Sequence, residues 1–499
     1  MTIIEGMLSG FTQSISLAVF PYLFVGSLFG LIIGVIPGLS GHFAMAMAVT
    51  FLYTMEPGAG IAFILGAHAT VAQGGGLTAI LFSTPGTGQN AATLLDGPAM
   101  RDKGEAGIAV GAAMASCFLG ATFGAIVLGL LIPVLREVVL FFGPPEIFIL
   151  AFLALTFVAV LGKEDMTRSL IAAMLGLLMA MIGVDNVTNT YRFTMGFDAL
   201  GDGLSLVPVI LGLFAVAEMI DLWARGGSLA RGVPQALSAR DTQMQIFRGI
   251  GLAFKHWWLV MRCSAIGTTM GLIPGLGSAP AAFVAYGHAK QTSKDRDSFG
   301  TGNVKGVIAP EASNDAVEGG ALASTIAFGI PGSSSMAILL SGLFILGLET
   351  GPQMLTSNVD IIFIMIFTII IGNFIGTIFG MFLVNPLSRA TSIRAELMVP
   401  VLMAVIVTGA YAGDRSIFDI GVALVFGVIG YVMKILNYSR AALLIGFVLG
   451  FAVEKNLYIA LQLDGPYFLF EPIPLGLMTV TIVFLGWNVF AIYRDRKRG

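Results

Sequence analysis

Cysteine and charged residues are the classes in which this sequence is poorest. The 499 residues include only two cysteines, Cys117 and Cys263, each inside an apolar run. Two cysteines without metal-ligand spacing argue against a zinc site and a disulfide scaffold, so we expect both to be packing residues. Charged residues make up 11% of the chain, with a formal net charge of −3 and the basic ones in short clusters. No basic surface for nucleic acid is therefore expected.

The sequence also lacks the motifs of hydrolytic and nucleotide-driven chemistry. It contains no Gly-rich loop ending in Gly-Lys-Ser/Thr, no Ser/His/Asp arrangement and no His/Cys metal cluster. The first seven residues carry no positive charge ahead of the first apolar run, so we expect that run to be a retained membrane segment. ATP hydrolysis is not expected as an energy source.

Long apolar runs dominate the chain instead. Hydrophobic residues make up 56% of it, and its mean hydropathy is +0.90, far from the composition of an ordinary soluble domain. Segments such as 106–135 and 204–223 have the length of simple spanning helices. We therefore predict an all-α polytopic membrane protein in which such segments form a scaffold.

Two apolar stretches are each interrupted by a Pro-Gly pair with hydroxyl side chains. They run from Gly74 to Gly97 and from Gly319 to Gly342. Each arm has about twelve residues, which as a helix reaches about half of a bilayer core of roughly 30 Å. We predict two re-entrant helical hairpins with tips near the midplane, where irregular backbone must be buried in protein or line a watery cavity.

A second motif precedes each hairpin in the same order. Gly-x-Ile-Pro-Gly-Leu occurs at 34–39 and at 271–276. Interrupted helices at corresponding positions of a duplication are typical of the binding sites of secondary transporters. We predict two homologous halves, 1–223 and 256–499, related as inverted repeats, each with a broken helix and a re-entrant hairpin. The basic segment 224–255 is predicted to be a cytoplasmic connection.

Each interruption frees backbone groups that can bind an ion or a substrate. Amides at a half-helix N-terminus and neighbouring hydroxyls favour a carboxylate, whereas freed carbonyls favour a small cation. The predicted substrate-binding residues are Thr84, Gly86, Thr87, Asn314, Gly332, Ser333, Ser334 and Ser335. The predicted cation-binding residues are Pro37, Gly38, Leu39, Ser40, Pro274, Gly275, Leu276 and Gly277. The alternative is that these residues only kink helices and allow close packing.

Four titratable residues beside the hairpins are candidates for proton coupling: His68, Glu311, Asp315 and Glu318. Ionisable groups at membrane depth are costly and face cavities or partners. Two plainer interpretations stay open: Asn314 or Asp315 caps the helix that follows, and His68 is a hydrogen-bonded interior residue. Because the breaks contain no side chain that changes protonation, we expect Na⁺ rather than H⁺ as the coupling ion.

Five short motifs can be compared with known families. They are the first Pro-Gly break at 34–39, Thr84-Pro-Gly-Thr87, Leu-Asp96-Gly97, the polar run at 309–316 and Gly-Ile-Pro-Gly-Ser at 329–333. In these motifs the chain resembles the large membrane subunit of the bacterial tripartite tricarboxylate transporters. The resemblance implies ion-driven uptake of carboxylates across the inner membrane, without a cofactor. It also implies two partners, a small membrane subunit and a periplasmic solute-binding protein.

Three other functions compete with this one. A proton-coupled carboxylate symporter is the nearest alternative. An intramembrane enzyme would need a metal-binding acidic motif or a nucleophile with a base, and the sequence shows neither. A channel is the third alternative, but short hairpins with half-helix ends suit an occluded binding site better than an open pore. The sequence therefore predicts a lipid-embedded transport subunit, not an enzyme, that imports di- or tricarboxylates by cation symport.

Overall fold

Helices form nearly all of the regular structure. The computed structural model describes residues 2–36, 39–84, 86–161, 166–185, 188–225, 239–273, 276–390 and 395–496. Within these ranges the strands β1 (Gly183–Val184) and β2 (Tyr191–Arg192) form one short antiparallel pair. The predicted all-α polytopic class is confirmed.

The helices of the first half precede the basic segment. They are α1 (Ile3–Ser14), α2 (Phe20–Val35), α3 (Gly41–Val49), α4 (Pro57–Phe82), α5 (Gly97–Asp102), α6 (Ala106–Val139), α7 (Pro144–Leu161), α8 (Met166–Ala180), α9 (Leu206–Ile210) and α10 (Ala217–Arg225). A π-helical segment, Leu211–Val216, joins α9 to α10.

The remaining helices begin with one that lies in the basic segment 224–255 and continue through the second half. They are α11 (Ala239–Lys255), α12 (Trp257–Leu272), α13 (Ser278–Thr292), α14 (Lys305–Phe328), α15 (Ser334–Ile345), α16 (Pro352–Thr356), α17 (Val359–Ala390), α18 (Ala395–Ala412), α19 (Ile417–Ile435), α20 (Arg440–Asp464) and α21 (Pro472–Arg496). The range 224–255, predicted as a connection, thus contains α11, whose Ile246 lies against Gly111 of α6.

Six helical segments in the described part of the chain are long and apolar enough to cross a membrane. They are Pro57–Phe82, Ala106–Val139, Leu206–Ala224, Val359–Leu383, Ile417–Ile435 and Arg440–Phe470. The share of buried residues in their apolar windows ranges from 33% to 100%, and the fully buried one belongs to α4. Helix α4 is therefore surrounded by protein rather than by lipid.

Glycines bring the broken helix of each half onto its hairpin. A Cβ atom at Gly30 of α2 would overlap the carbonyl of Ala67 in α4. The second half repeats this contact, since a Cβ at Gly271 of α12 would overlap the carbonyl of Val317 in α14. Small residues permit such close approach where no hydrophobic effect drives helices together.

Several helices of each half pack against helices of the other half. Helix α6 of the first half packs on α14 of the second, and α17 of the second packs on α4 of the first. Helix α3 packs on α15, and α13 packs on the 3₁₀ turn Gly88–Ala91. Helix α11 lies on α6, just as α1 lies on α17. Contacts between the two halves are therefore made from several helices on each side.

The first arm of each hairpin is longer than predicted. Helix α4 has 26 residues and α14 has 24, against the expected length of about twelve. Helix α4 continues through the glycines at 74–76, which neighbouring helices bury. Helix α14 includes the polar run 310–318, because neighbouring elements supply partners for some of its polar side chains. The second arms differ: α15 is a helix of 12 residues, whereas the first hairpin returns through 3₁₀ turns.

Candidate functional site

One face of α14 carries four polar residues in the protein interior. Glu311, Asn314, Asp315 and Glu318 recur at helical spacing, and each is at most 8% exposed. We call this set the acidic seam. Because α14 begins at Lys305, Asn314 and Asp315 lie in the middle of a helix. The interpretation that either residue caps a helix is therefore wrong.

His68 of α4 contacts the end of the acidic seam. Its Nε2 atom lies 2.6 Å from the Oε2 atom of Glu318, and both side chains are buried. The Nδ1 atom of His68 has no hydrogen-bond partner among the described residues. Two of the predicted proton-coupling candidates, one from each half, are thus in direct contact, and His68 is a hydrogen-bonded interior residue.

Glu311 accepts hydrogen bonds from neutral groups of the first half. The hydroxyl of Thr93 donates to one carboxylate oxygen. The amide nitrogen of Asn90 lies 3.3 Å from both oxygens, and the thiol of Cys117 lies 3.2 Å from Oε2. No lysine, arginine or histidine in the described ranges forms an ion pair with Glu311.

Asp315 and Asn314 present polar atoms that nothing in the described structure satisfies. Asp315 Oδ2 and both Oδ1 and Nδ2 of Asn314 are buried without a hydrogen-bond partner. One ligand atom each from Cys117, Glu311 and Asp315 lie within 4.8 Å of one another. A buried polar atom left unsatisfied costs about 1–3 kcal/mol, so such a concentration calls for a bound species.

The tip of the first hairpin lies beside this cluster. The amide of Gly86 donates to the Gly75 carbonyl at 3.4 Å. The hydroxyl of Thr87 is buried and donates to Asn90 Oδ1 at 2.6 Å, so the tip is linked through Asn90 to Glu311. Thr84 differs, because it is exposed and its one hydrogen bond within the described ranges goes to the Phe82 carbonyl.

The tip of the second hairpin makes the N-terminus of α15. Ser333 is the N-cap, and its hydroxyl accepts from the amide of Met336 at 3.2 Å. The Ser334 hydroxyl lies 2.5 Å from Nε2 of His42, a residue in the first turn of α3. Ser335 is buried. The remaining tip residue, Gly332, donates its amide to the Thr325 hydroxyl at 3.3 Å.

The two helix breaks are described only in part. Pro37, Gly38, Pro274 and Gly275 lie outside the described residues. Leu39 and Leu276 each donate a backbone hydrogen bond to the residue three positions earlier, at 3.2 and 3.4 Å. Gly277 has a φ of +65°, in the left-handed region that favours glycine.

Ser40 at the first break is the N-cap of α3. Its hydroxyl accepts from the amide of Phe43 at 3.2 Å. A Cβ atom on the neighbouring Gly41 would lie 3.9 Å from Cγ2 of Thr87. The start of α3 therefore lies between the two hairpin tips, with Thr87 on one side of it and Ser334 on the other.

Asp96 fastens the first half to the loop that precedes α14. Its Oδ1 atom accepts from the amides of Gly300, Gly302 and Asn303 at 2.8–2.9 Å. Its Oδ2 atom accepts from the Tyr286 hydroxyl at 2.9 Å. The carboxylate is fully buried, so four donors replace its hydration shell. Asp96 thereby fixes where α14, and with it the acidic seam, begins.

An ion pair in the same loop supports that start. Asp295 accepts from Lys305 Nζ at 2.7 Å and from the side-chain amide of Asn303 at 2.9 Å. The hydrogen bond from Lys305 lowers the pKa of Asp295 below its ordinary value. The carboxylate therefore remains charged at neutral pH beside the first residue of α14.

A cavity of about 640 Å³ lies away from these residues. It is lined by apolar side chains that include Met179, Phe328 and Phe447, next to the turn at Gly329. None of the predicted site residues in the described part of the chain lines it. The candidate site is therefore the set formed by the acidic seam, the two tips and the start of α3.

Sequence reasoning missed five residues of this arrangement. They are His42, Asn90, Asp96, Thr93 and Cys117. His42 could have been noticed, because it is a titratable side chain four residues after a Pro-Gly break. Asp96 stood in a recognised motif without a role. The other three contact Glu311 across about 200 residues of sequence, which no local pattern reveals.

Comparisons with known proteins agree with the arrangement of motifs. A sequence model of the family described as "Tripartite tricarboxylate transporter TctA family" matches residues 20–445. The chain is 29% identical over 500 residues to an uncharacterized 52.8 kDa protein in the TAR-I ttuC' 3' region of Agrobacterium vitis, covering all of this chain and 98% of that one. It is also 29% identical over 234 residues to an uncharacterized protein in the TAR-II ttuC' 3' region of the same organism, covering 46% of this chain and 97% of that one. No solved structure matches the chain significantly.

Proposed function

The chain belongs to the tripartite tricarboxylate transporter TctA family, and we propose that it imports di- or tricarboxylates by symport with a cation, Na⁺. It works in the bacterial inner membrane with a small membrane subunit and receives substrate from a periplasmic solute-binding protein. Family membership supports the role of a transporter subunit. The ion, the partners and the direction of transport are the parts that we propose.

The proposed substrate site lies where the N-termini of α3 and α15 meet. The observation that carries it is the hydrogen bond between His42 and Ser334, which joins the two helix starts. Unpaired amides and the helix dipole make an N-terminus favourable for an anion. Two such termini beside a hydroxyl and an imidazole can receive a carboxylate without a full positive charge.

A nearby arginine is already neutralised. Arg440 lies over the ring of Phe214, which also stacks on His42. Its guanidinium donates to Glu218 at 2.9 Å and to the Leu213 carbonyl at 3.1 Å. We therefore assign direct contact with the substrate to His42, Ser334 and the helix amides, with Arg440 positioning the ring behind them.

The test is uptake by the reconstituted three-component transporter over a panel of mono-, di- and tricarboxylates. Ser334→Ala should raise the apparent KM about ten- to a hundredfold, because a lost hydrogen bond to a charged group costs about 1.5–3 kcal/mol. Ser341→Ala is the matched control, since Ser341 lies in the same helix and, among the residues that the structure describes, bonds only the Ala337 carbonyl. An unchanged KM in both Ser334→Ala and His42→Phe would reject the site.

Proton coupling is the second candidate, and the contact between His68 and Glu318 favours it. Histidine and carboxylate side chains inside the membrane form the proton relays of pumps and transporters. Imposing Na⁺ and pH gradients separately on the same proteoliposomes distinguishes the two ions. Uptake that persists without Na⁺ under a pH gradient alone would replace Na⁺ by H⁺ in the proposal.

A further inference from the structure

The acidic seam holds two buried carboxyl groups that have no cationic side chain beside them in the described structure. Glu311 and Asp315 are 0% and 2% exposed, one helical turn apart on α14. No cationic side chain in the described ranges pairs with either of them. Removing a carboxylate from water costs several kcal/mol unless a partner offsets it. A bound cation is one such partner.

The two carboxylates are not equivalent. Glu311 receives donors from Thr93, Asn90 and Cys117, which satisfy it as an anion. Asp315 has an oxygen with no partner, and the amide oxygen of the preceding residue, Asn314, is also unpartnered. Asp315 is therefore the carboxyl group that the described structure compensates least.

We propose that the acidic seam binds one Na⁺ ion, held by Asp315 and the Asn314 amide oxygen, with the Glu311 carboxylate within 4.8 Å of the Asp315 ligand atom. Oxygen ligands suit a hard cation. Ca²⁺ takes six to eight oxygens, and here the oxygens of Glu311 already accept several hydrogen bonds. A soft metal would need the Cys117 sulfur, which instead donates to Glu311.

The site has a direct route to the substrate region. Glu311 accepts from Asn90, and Asn90 accepts from Thr87 at the tip of the first hairpin. Thr87 in turn lies near Gly41 at the start of α3. Na⁺ in the seam thus fixes the tip next to the proposed carboxylate site and should raise the affinity for substrate. By linkage, bound substrate raises the affinity for Na⁺ by the same factor. This coupling, but not the Na⁺ site itself, rests on the proposed function.

The helix breaks are the competing location for the cation. Their central residues, Pro37, Gly38, Pro274 and Gly275, lie outside the described part of the chain. Substitutions at the breaks therefore belong in the same experiment. A β-branched residue at Gly38 or Gly275 disfavours an unusual backbone shape and would disturb carbonyl ligands there while leaving the seam intact.

The first experiment measures ²²Na⁺ binding to the purified transporter complex without substrate. Asp315→Asn and Glu311→Gln should each weaken binding at least tenfold, whereas the control Glu349→Gln, which removes an exposed carboxylate, should not. Asn314→Ala, which changes no charge, should weaken binding several-fold. Full ²²Na⁺ binding by Asp315→Asn would overturn the proposal, as would a wild-type complex that binds no ²²Na⁺. Loss confined to Gly38→Val and Gly275→Val would overturn it in favour of the breaks.

A second measurement leaves the seam unaltered and so does not depend on how its variants fold. The wild-type complex should unfold at a higher temperature in Na⁺ than in choline, because an ion that binds only the folded state stabilises it. Equal unfolding temperatures in the two salts would contradict the site. Na⁺ binding without carboxylate uptake would reject the proposed function and leave the site standing.

Discussion

Asp96 offers a sharp test of how the two halves are held together. Replacing it by asparagine keeps the size of the side chain and removes its charge. The remaining amide oxygen can still accept from the three backbone amides, but these bonds lose the assistance of the charge. Hydrogen bonds to a charged group contribute about 1.5–3 kcal/mol each and those to a neutral group about 1 kcal/mol, so for three bonds we expect a loss of about 1.5–6 kcal/mol.

Two further variants give losses of stability with which the loss in Asp96→Asn can be compared. Tyr286→Phe removes one donor to the carboxylate and should cost about 1.5–3 kcal/mol. Asp96→Ala leaves the three amides without their acceptor and should cost more than Asp96→Asn. Asp102→Asn is the matched control, because Asp102 is exposed and, within the described ranges, pairs only with its neighbour Arg101. This variant should lose about 0–1 kcal/mol of stability.

Thermal unfolding of the purified protein in detergent measures the order of these variants. Limited proteolysis of the loop at 293–304 adds a local readout, because Asp96 holds that loop against α5 and α13. Asp96→Asn should unfold at a clearly lower temperature than Asp102→Asn and be cut faster in the loop. Equal unfolding temperatures and equal cleavage rates for the two variants would refute the anchoring role.

Three further outcomes follow from the packing and from the charge pattern. Gly30→Val should prevent α2 from seating on α4 and lower the yield of folded protein, measured by size-exclusion chromatography. His68→Leu leaves the buried Glu318 without its partner and should lower the free energy of unfolding, measured by thermal unfolding, by about 3–5 kcal/mol. A loss no larger than that at an exposed ion pair would mean that the contact is not formed. Single cysteines at Ser228 and Lys497, both outside the described residues, should react with an impermeant reagent only from the cytoplasmic side.

The structure changes which hydroxyl is informative about the substrate. Ser333 is an N-cap, so its loss would cost about 0.5–2 kcal/mol of stability whatever it binds. Thr87 is engaged with Asn90, and its removal would disturb the link to Glu311 as well as the tip. Ser334 has no capping role and contacts His42 of the other half. Among the predicted tip residues it is therefore the cleanest probe.

The sequence by itself determined the class of the protein and the position of its interruptions. Composition predicts a membrane protein because the bilayer acts as a solvent that selects apolar helices. The repeated Pro-Gly motifs predict paired breaks and hairpins because proline and glycine act locally, through the backbone of their own segment. Both inferences depend on neighbours in sequence, which a linear pattern records.

Only the tertiary structure decided the lengths of the hairpin arms and the partners of the buried polar residues. A run such as Glu311–Glu318 looks too polar for a buried helix until Thr93, Asn90 and His68 are brought against it from more than 200 residues away. The same holds for His42 and Ser334, which are 292 residues apart. A buried polar group is tolerable only if its partners are present. Which partners are present depends on which helices of one half pack against the other.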